Sequence, residues 1–192
     1  MRIGCIGLSL PAGALASTDA LLRLGSVLAR VELLGVPLLV HPGPGTGAGA
    51  DSEAGGASLR DPLWWPALTR YVAQMQASWL AFVSAGRARH PELRVIFSML
   101  AGLAPLHAER VYSRGGPTAR LADPLIFYET SSYGPLTVRS LAEIVGPQQL
   151  LYGSDRPVVE PTELDMPGEL DWDPILDGTH RAFGPTRAAV TS

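Results

Sequence analysis

Four residues stand where a short apolar run gives way to a loop, and two of them, His41 and Asp155, are of types that bind metals or move protons. His41 closes Leu38-Leu39-Val40, Met99 follows Val95-Ile96-Phe97-Ser98, Glu129 closes Ile126-Phe127-Tyr128, and Asp155 follows Leu150-Leu151-Tyr152 and a Gly153-Ser154 turn. In parallel α/β sheets the reacting groups sit just beyond the carboxyl ends of the strands. A neutral imidazole is a common metal ligand and a proton carrier near neutral pH. Together with a carboxylate it suits a hard or borderline cation such as zinc or manganese, although a catalytic zinc takes about three protein ligands. Simpler roles compete: Asp155 as a turn residue capping the next segment, and His41 as a histidine satisfied by loop backbone. Glu129 could touch a substrate or serve as a cap or ion-pair partner. Arg110 and Arg156 lie near strand ends and suit a bidentate grip on a substrate carboxylate, or surface ion pairs.

The remaining candidates are weaker. The run Gly45-Thr46-Gly47-Ala48-Gly49-Ala50 matches the letters of a dinucleotide-binding loop. No apolar helical stripe follows it and no Gly-Lys-Ser/Thr is present, so a nucleotide role is rejected. His90 and His180 fall on helix ends or connections and are expected in solvent, as is His107. Trp64, Trp65 and Trp79 are read as core or interface mass.

These residues need strands to carry them, and the pattern supplies about five. Residues 3–10 form an apolar run closed by Pro11-Ala12-Gly13. Ser17, Thr18 or Asp19 can cap a helix whose stripe is Leu21, Leu24, Val27, Leu28 and Val31, with Gly35 beyond its end. Residues 36–40 make a short strand ending at His41. Residues 42–60 are a Gly-, Ala- and Ser-rich loop expected to be flexible. A long helix then carries Leu68, Val72, Met75, Trp79 and Val83 and ends before Pro91. Residues 93–97 form a strand, 101–110 a turn and a short helix, and 114–122 a second loop. Strand 125–128 runs into Glu129-Thr130, and Thr137 can cap a helix with Val138, Leu141, Ile144 and Val145 that stops at Gly146-Pro147. After the strand leading to Asp155, residues 156–192 are an acidic tail with one short helix near Ile175 to Phe183. Strands alternating with helices are the signature of a parallel α/β sheet.

The bulk composition narrows the partners. With 46% hydrophobic and 17% charged residues over 192 positions, the chain reads as one globular domain. A net charge of −3 leaves no electrostatic footprint for nucleic acid or anionic membrane. No apolar run approaches the roughly 18–20 residues that span a bilayer. Arg2 and the apolar residues after it loosely imitate a secretory leader, but Pro11 and Gly13 break the run. The single Cys5 is expected as a small buried hydrophobe, and a chain without disulfides suits the reducing cytoplasm.

Several phrases together resemble the amidohydrolase-related family of metal-dependent hydrolases and decarboxylases, which includes aminocarboxymuconate-semialdehyde decarboxylase. They are His41-Pro42-Gly43 after Leu38-Leu39-Val40, His90-Pro91-Glu92-Leu93-Arg94-Val95-Ile96, and Tyr152-Gly153-Ser154-Asp155-Arg156-Pro157. Residues 175–183 resemble the family's closing helix, with Thr179 where an Asn is usual. The resemblance implies a (β/α)8 barrel, present here as a partial or divergent form of about five parallel strands. It implies a divalent metal, zinc foremost, with His41 as ligand and Asp155 as ligand or as acceptor of a proton from bound water. The substrate would be a small, carboxylated organic molecule. Two departures accompany it: no His-x-His precedes residue 3, and Met99 stands where the family places a His. The alternative is a non-catalytic, ligand-binding or self-associating scaffold that has lost the metal. Open strand edges make a homo-oligomer the expectation in either case.

Overall fold

Five short strands, each followed by helical chain, build one parallel sheet in which every strand lies beside the next in sequence. The computed structural model describes residues 4–45, 61–116, 123–158, 160 and 171–184. Residues 46–60, with most of the Gly-rich loop, and parts of the second loop and of the tail lie outside the described residues.

The strands are β1 (Leu8–Pro11), β2 (Leu38–His41), β3 (Val95–Phe97), β4 (Ile126–Glu129) and β5 (Leu150–Leu151). Leu38 lies opposite Leu8 and Val95, and Tyr128 opposite Phe97 and Leu150, so the carboxyl ends of the strands form a single edge. This sequential parallel order is the parallel α/β sheet that the alternating pattern implied, and the arrangement of a barrel segment that the resemblance implied.

The helices follow in chain order. Helix α1 (Thr18–Arg23) is capped by Ser17, whose hydroxyl accepts the Ala20 N–H at 3.1 Å. The stripe expected to form one helix is broken at Leu24, and α2 (Gly25–Leu33) carries the remainder. Between β2 and β3 lie α3 (Trp65–Leu68), α4 (Arg70–Ala81), a wider π-helical stretch (Phe82–Gly86) and α5 (Arg87–Arg89). Helix α6 (Ala108–Ser113) follows the turn-rich segment Met99–His107. Helix α7 (Pro135–Val145) starts at Gly134 with Pro135 in its first turn, so the expected Thr137 cap is displaced into the helix. The tail carries α8 (Asp173–Leu176) and α9 (Gly178–Phe183).

Side chains alternate across the sheet as the period of two requires. Leu38, Val40, Val95, Phe97, Ile126, Tyr128 and Leu150 join the main core with Leu28, Trp79, Phe82, Val138 and Leu141 from the helices. Tyr128 accepts a hydrogen bond from Trp79 Nε1 at 3.0 Å, and burial pushes its phenol well above the ordinary range. On the opposite face Ile96, Phe127 and Leu151 pack with Leu39 and are covered by Ala182 of α9. Gly178 approaches Leu150 and Leu151, while Arg94 at the start of β3 donates to the carbonyls of Gly184 and Gly35. Helix α9 therefore crosses the inner face from β5 towards the amino end of β3.

The amino-terminal side of the sheet is tied by a buried ion pair. Arg87 Nε donates to Asp123 at 2.6 Å, and its Nη1 donates to the carbonyls of His90, Pro91 and Leu93. Its guanidinium also lies 5.1 Å from the centre of the Phe82 ring. Two expectations are corrected at this level. His90 is buried, with Nδ1 3.3 Å from Glu32, because α2 brings a carboxylate to it from 58 positions away. Cys5 is exposed, since residues 4–7 precede the strand instead of forming part of it. Of the tryptophans read as core or interface mass, Trp79 is core, while Trp64, just before α3, and Trp65, its first residue, are exposed. No described helix is long and apolar enough to cross a membrane.

Candidate functional site

The carboxyl ends of β2 to β5 present His41, the Met99 segment, Glu129 and the loop bearing Asp155 along one rim. His41 is the last residue of β2 and is half-buried. Its Nδ1 lies 2.8 Å from the carbonyl of Pro42. A carbonyl only accepts, so Nδ1 carries the proton and the lone pair sits on Nε2. Metal-binding imidazoles are commonly held this way, with one nitrogen donating to backbone and the other free to ligate.

Asp155 stands beyond the end of β5 in left-handed backbone, with φ 54°. One carboxylate oxygen accepts the Ser132 hydroxyl at 2.7 Å. Ser132 is itself left-handed, φ 67°. Both ends of that hydrogen bond thus occupy backbone that L-residues avoid, at about 1–2 kcal/mol each. Such placement persists only where the surroundings over-determine it, and it clusters at functional sites.

Glu129 gathers more of the rim than any other side chain. It accepts the Ser131 N–H at 2.7 Å and the Ser131 hydroxyl, and the backbone of Met99, just beyond β3, lies against it. Burial raises its pKa; the Ser131 hydrogen bonds and the nearby Met99 backbone oppose the rise, and the charge of Asp155 adds to it. Gly153 leaves the room this carboxylate needs, because a Cβ at position 153 would fall 1.1 Å from Glu129 Oε1. Thr130 is buried beside it; its hydroxyl accepts the Gly153 N–H at 3.2 Å and its own N–H donates to Leu151.

Met99 opens a run of left-handed residues, Met99, Leu100, Ala101, Gly102 and Leu103, with φ between 49° and 64°. Left-handed residues normally occur singly, so a whole turn of them is costly. Leu100 and Ala101 are fully buried, and the Gln76 side chain donates to the Gly102 carbonyl at 2.8 Å, which holds the turn in place.

The two arginines are placed differently. Arg156 is exposed and pairs with Glu160 at 2.9 Å. Arg110 is exposed within α6. His107 and His180 are exposed as well.

The structure therefore brings Glu129 and Asp155 together with Ser131, Ser132, Thr130 and Gly153. His41 stands on the same edge three strands from β5, roughly 14 Å along the sheet at the usual strand spacing. Among the described residues, no three His, Cys, Asp or Glu side chains converge closely enough to hold a metal ion. His41 keeps Nε2 for a ligand, but His41 and Asp155 do not by themselves make a site for a catalytic cation. The serines escaped the sequence reasoning. Their signal was the run Glu129-Thr130-Ser131-Ser132, a carboxylate at a strand end followed by three hydroxyls able to satisfy it.

No protein-family model matches the sequence, and no curated protein matches it. Solved structures do match in fold. The apo form of Metarhizium anisopliae IDCase superposes with a TM-score of 0.62 at 16% identity, over 94% of this chain and 52% of that one. The 2,6-dihydroxybenzoate decarboxylase from Rhizobium gives 0.60 at 16% identity, over 84% and 55%. The 5-carboxyvanillate decarboxylase from Novosphingobium aromaticivorans, complexed with manganese and 4-hydroxy-3-methoxy-5-nitrobenzoic acid, gives 0.61 at 13% identity, over 95% and 57%. The chain spans about half the length of the structures it matches. Over its five parallel strands it has the fold of these decarboxylases.

Proposed function

We propose that this chain belongs to the amidohydrolase-related family and carries part of the reaction face of a metal-dependent decarboxylase or hydrolase acting on a small carboxylated, aromatic-type substrate. The observation that carries this reading is the single rim, where sequential parallel strands deliver His41, Glu129 and Asp155 to one edge of a decarboxylase-like sheet. In this reading His41 Nε2 and the Asp155 carboxylate are two donors to a divalent cation, manganese or zinc. The cation, when bound, would polarise a substrate oxygen.

The chain's own residues have separable tasks. The Pro42 carbonyl holds the His41 tautomer, and Ser132 holds one oxygen of Asp155, leaving the other to bind or to accept a proton. Arg156 lies on the turn that carries Asp155. Its pair with Glu160 is solvent-exposed, worth about 0–1 kcal/mol, and so is readily exchanged for a substrate carboxylate.

Titration of the purified protein with MnCl2 and ZnCl2, followed by assay of CO2 release from hydroxybenzoates, tests the reading. Binding is expected to be lost in His41→Ala and in Asp155→Asn, with both variants still folded. A protein that takes up neither metal sinks the catalytic reading and leaves the scaffold alternative.

A further inference from the structure

We propose that Glu129 is the positioning residue of this rim: its carboxylate, seated among Met99, Ser131 and Gly153, sets where the loop bearing Asp155 stands. The inference rests on the reading of this rim as the reaction face, and goes beyond it by assigning a role to a residue outside the expected ligand pair.

Three separate loops meet on this one side chain. From the end of β3 comes the backbone of Met99, the first residue of the left-handed turn. From Glu129's own turn come the N–H and hydroxyl of Ser131. From β5 comes Gly153, whose missing Cβ is the space that the carboxylate fills. Contacts from three stretches of chain converge on one buried side chain, so this cluster is an anchor.

The anchor reaches Asp155 by a short path. Ser131, pinned by Glu129, fixes the turn that places Ser132, and Ser132 donates to Asp155. Thr130, on the other side of Ser131, ties the same turn to Leu151 and Gly153. Glu129 thus acts through other residues and needs no contact with substrate. Its carboxylate already receives two donors from Ser131 and is seated against Met99 and Gly153, which suits an anchor better than a ligand.

The test uses the intact protein and three variants. Glu129→Gln keeps the shape but turns one acceptor into a donor facing N–H and O–H groups. Gly153→Ala keeps Glu129 and displaces its carboxylate. Ser132→Ala cuts only the last link. Hydrogen exchange is read at Met99, Ser131 and Gly153, and the 13Cγ signal of Asp155 is read by NMR at neutral pH.

In Glu129→Gln all three amides should exchange faster, by about tenfold or more as local opening is eased. Amides of Ile96 and Phe127 in the sheet should keep their wild-type rates. The Asp155 signal should move towards its position in Ser132→Ala, a change that loss of general stability does not produce. Gly153→Ala should reproduce both effects. The proposal is overturned if Glu129→Gln and Gly153→Ala disturb only residues 130–132 while Gly153 exchange and the Asp155 signal stay at wild type. Failure of the wild-type protein to bind manganese would remove the proposed reaction and leave this result standing, so the two ideas fail separately.

Discussion

A carboxylate that leaves water stays ionised only when donors replace the lost hydration, and Glu129 shows both halves of that balance. Burial raises its pKa from 4.5, and the Ser131 hydrogen bonds with the nearby Met99 backbone only partly offset the rise. A raised carboxyl pKa means that the folded chain binds this proton more tightly than the unfolded chain. The stabilisation linked to it is full below the unfolded value and is lost as pH rises through the folded one. The stability of the wild type relative to Glu129→Gln should therefore decline as pH rises above about 4.5, and urea unfolding at a series of pH values from there upward measures the slope. Arg87 carries a different expectation. Replacing it with Met leaves Asp123 buried without its cation, a loss of about 3–5 kcal/mol, whereas Arg87→Met with Asp123→Leu should cost less than the single change. Denaturant midpoints of the two variants decide this. Sequence reasoning reached His41 and Asp155 because each follows an apolar strand. It missed the burial of His90 because the partner, Glu32, lies far away in the chain and no local pattern announces it.

Elements with a regular apolar period were legible in the sequence, and those shaped by contacts were not. The stripe Val138, Leu141, Val145 placed α7 to within a few residues. Its start was misread because Gly134-Pro135 outcompetes Thr137 as a helix entry. The long helix after the Gly-rich loop was legible as a stripe. Its π-helical stretch was not, since that rests on Gly86 packing so close to Phe82 that a Cβ would fall 2.5 Å from the ring. The left-handed turn at Met99 was the least legible of all: Met, Leu and Ala carry no local preference for it, and burial against α4 imposes it. Gly102 is the member of that turn that sterics demand. A Cβ there would meet the Val72 carbonyl at 2.8 Å, in backbone at φ 61°. Gly102→Ala should lower stability by about 1–2 kcal/mol from backbone strain alone, and by more from the contact. Thermal unfolding of the variant checks the sign and the size.

At the scale of the molecule, alternation of strands and helices was enough to read a parallel sheet, but nothing in the pattern showed what covers its inner face. Helix α9 does so, and Ala182, fully buried against Ile96, Phe127 and Leu151, is its contact. Ala182→Glu would press an ionisable group into that apolar layer. It should free α9 at a cost of a few kcal/mol, seen as faster hydrogen exchange in residues 178–183 and as binding of a hydrophobic dye. Among the described residues β1 and β5 each have one neighbouring strand, and unpaired edges invite further pairing. Sedimentation velocity over a range of concentrations is expected to reveal self-association.

Because every strand lies beside its successor, no pairing has to wait for a distant part of the chain. Leu8 meets Leu38, Leu38 meets Val95, and so on to Leu150, so each newly synthesised unit finds a finished template at the growing margin. Assembly of this kind can proceed in the direction of translation, with each helix arriving to shield the strand laid down just before it.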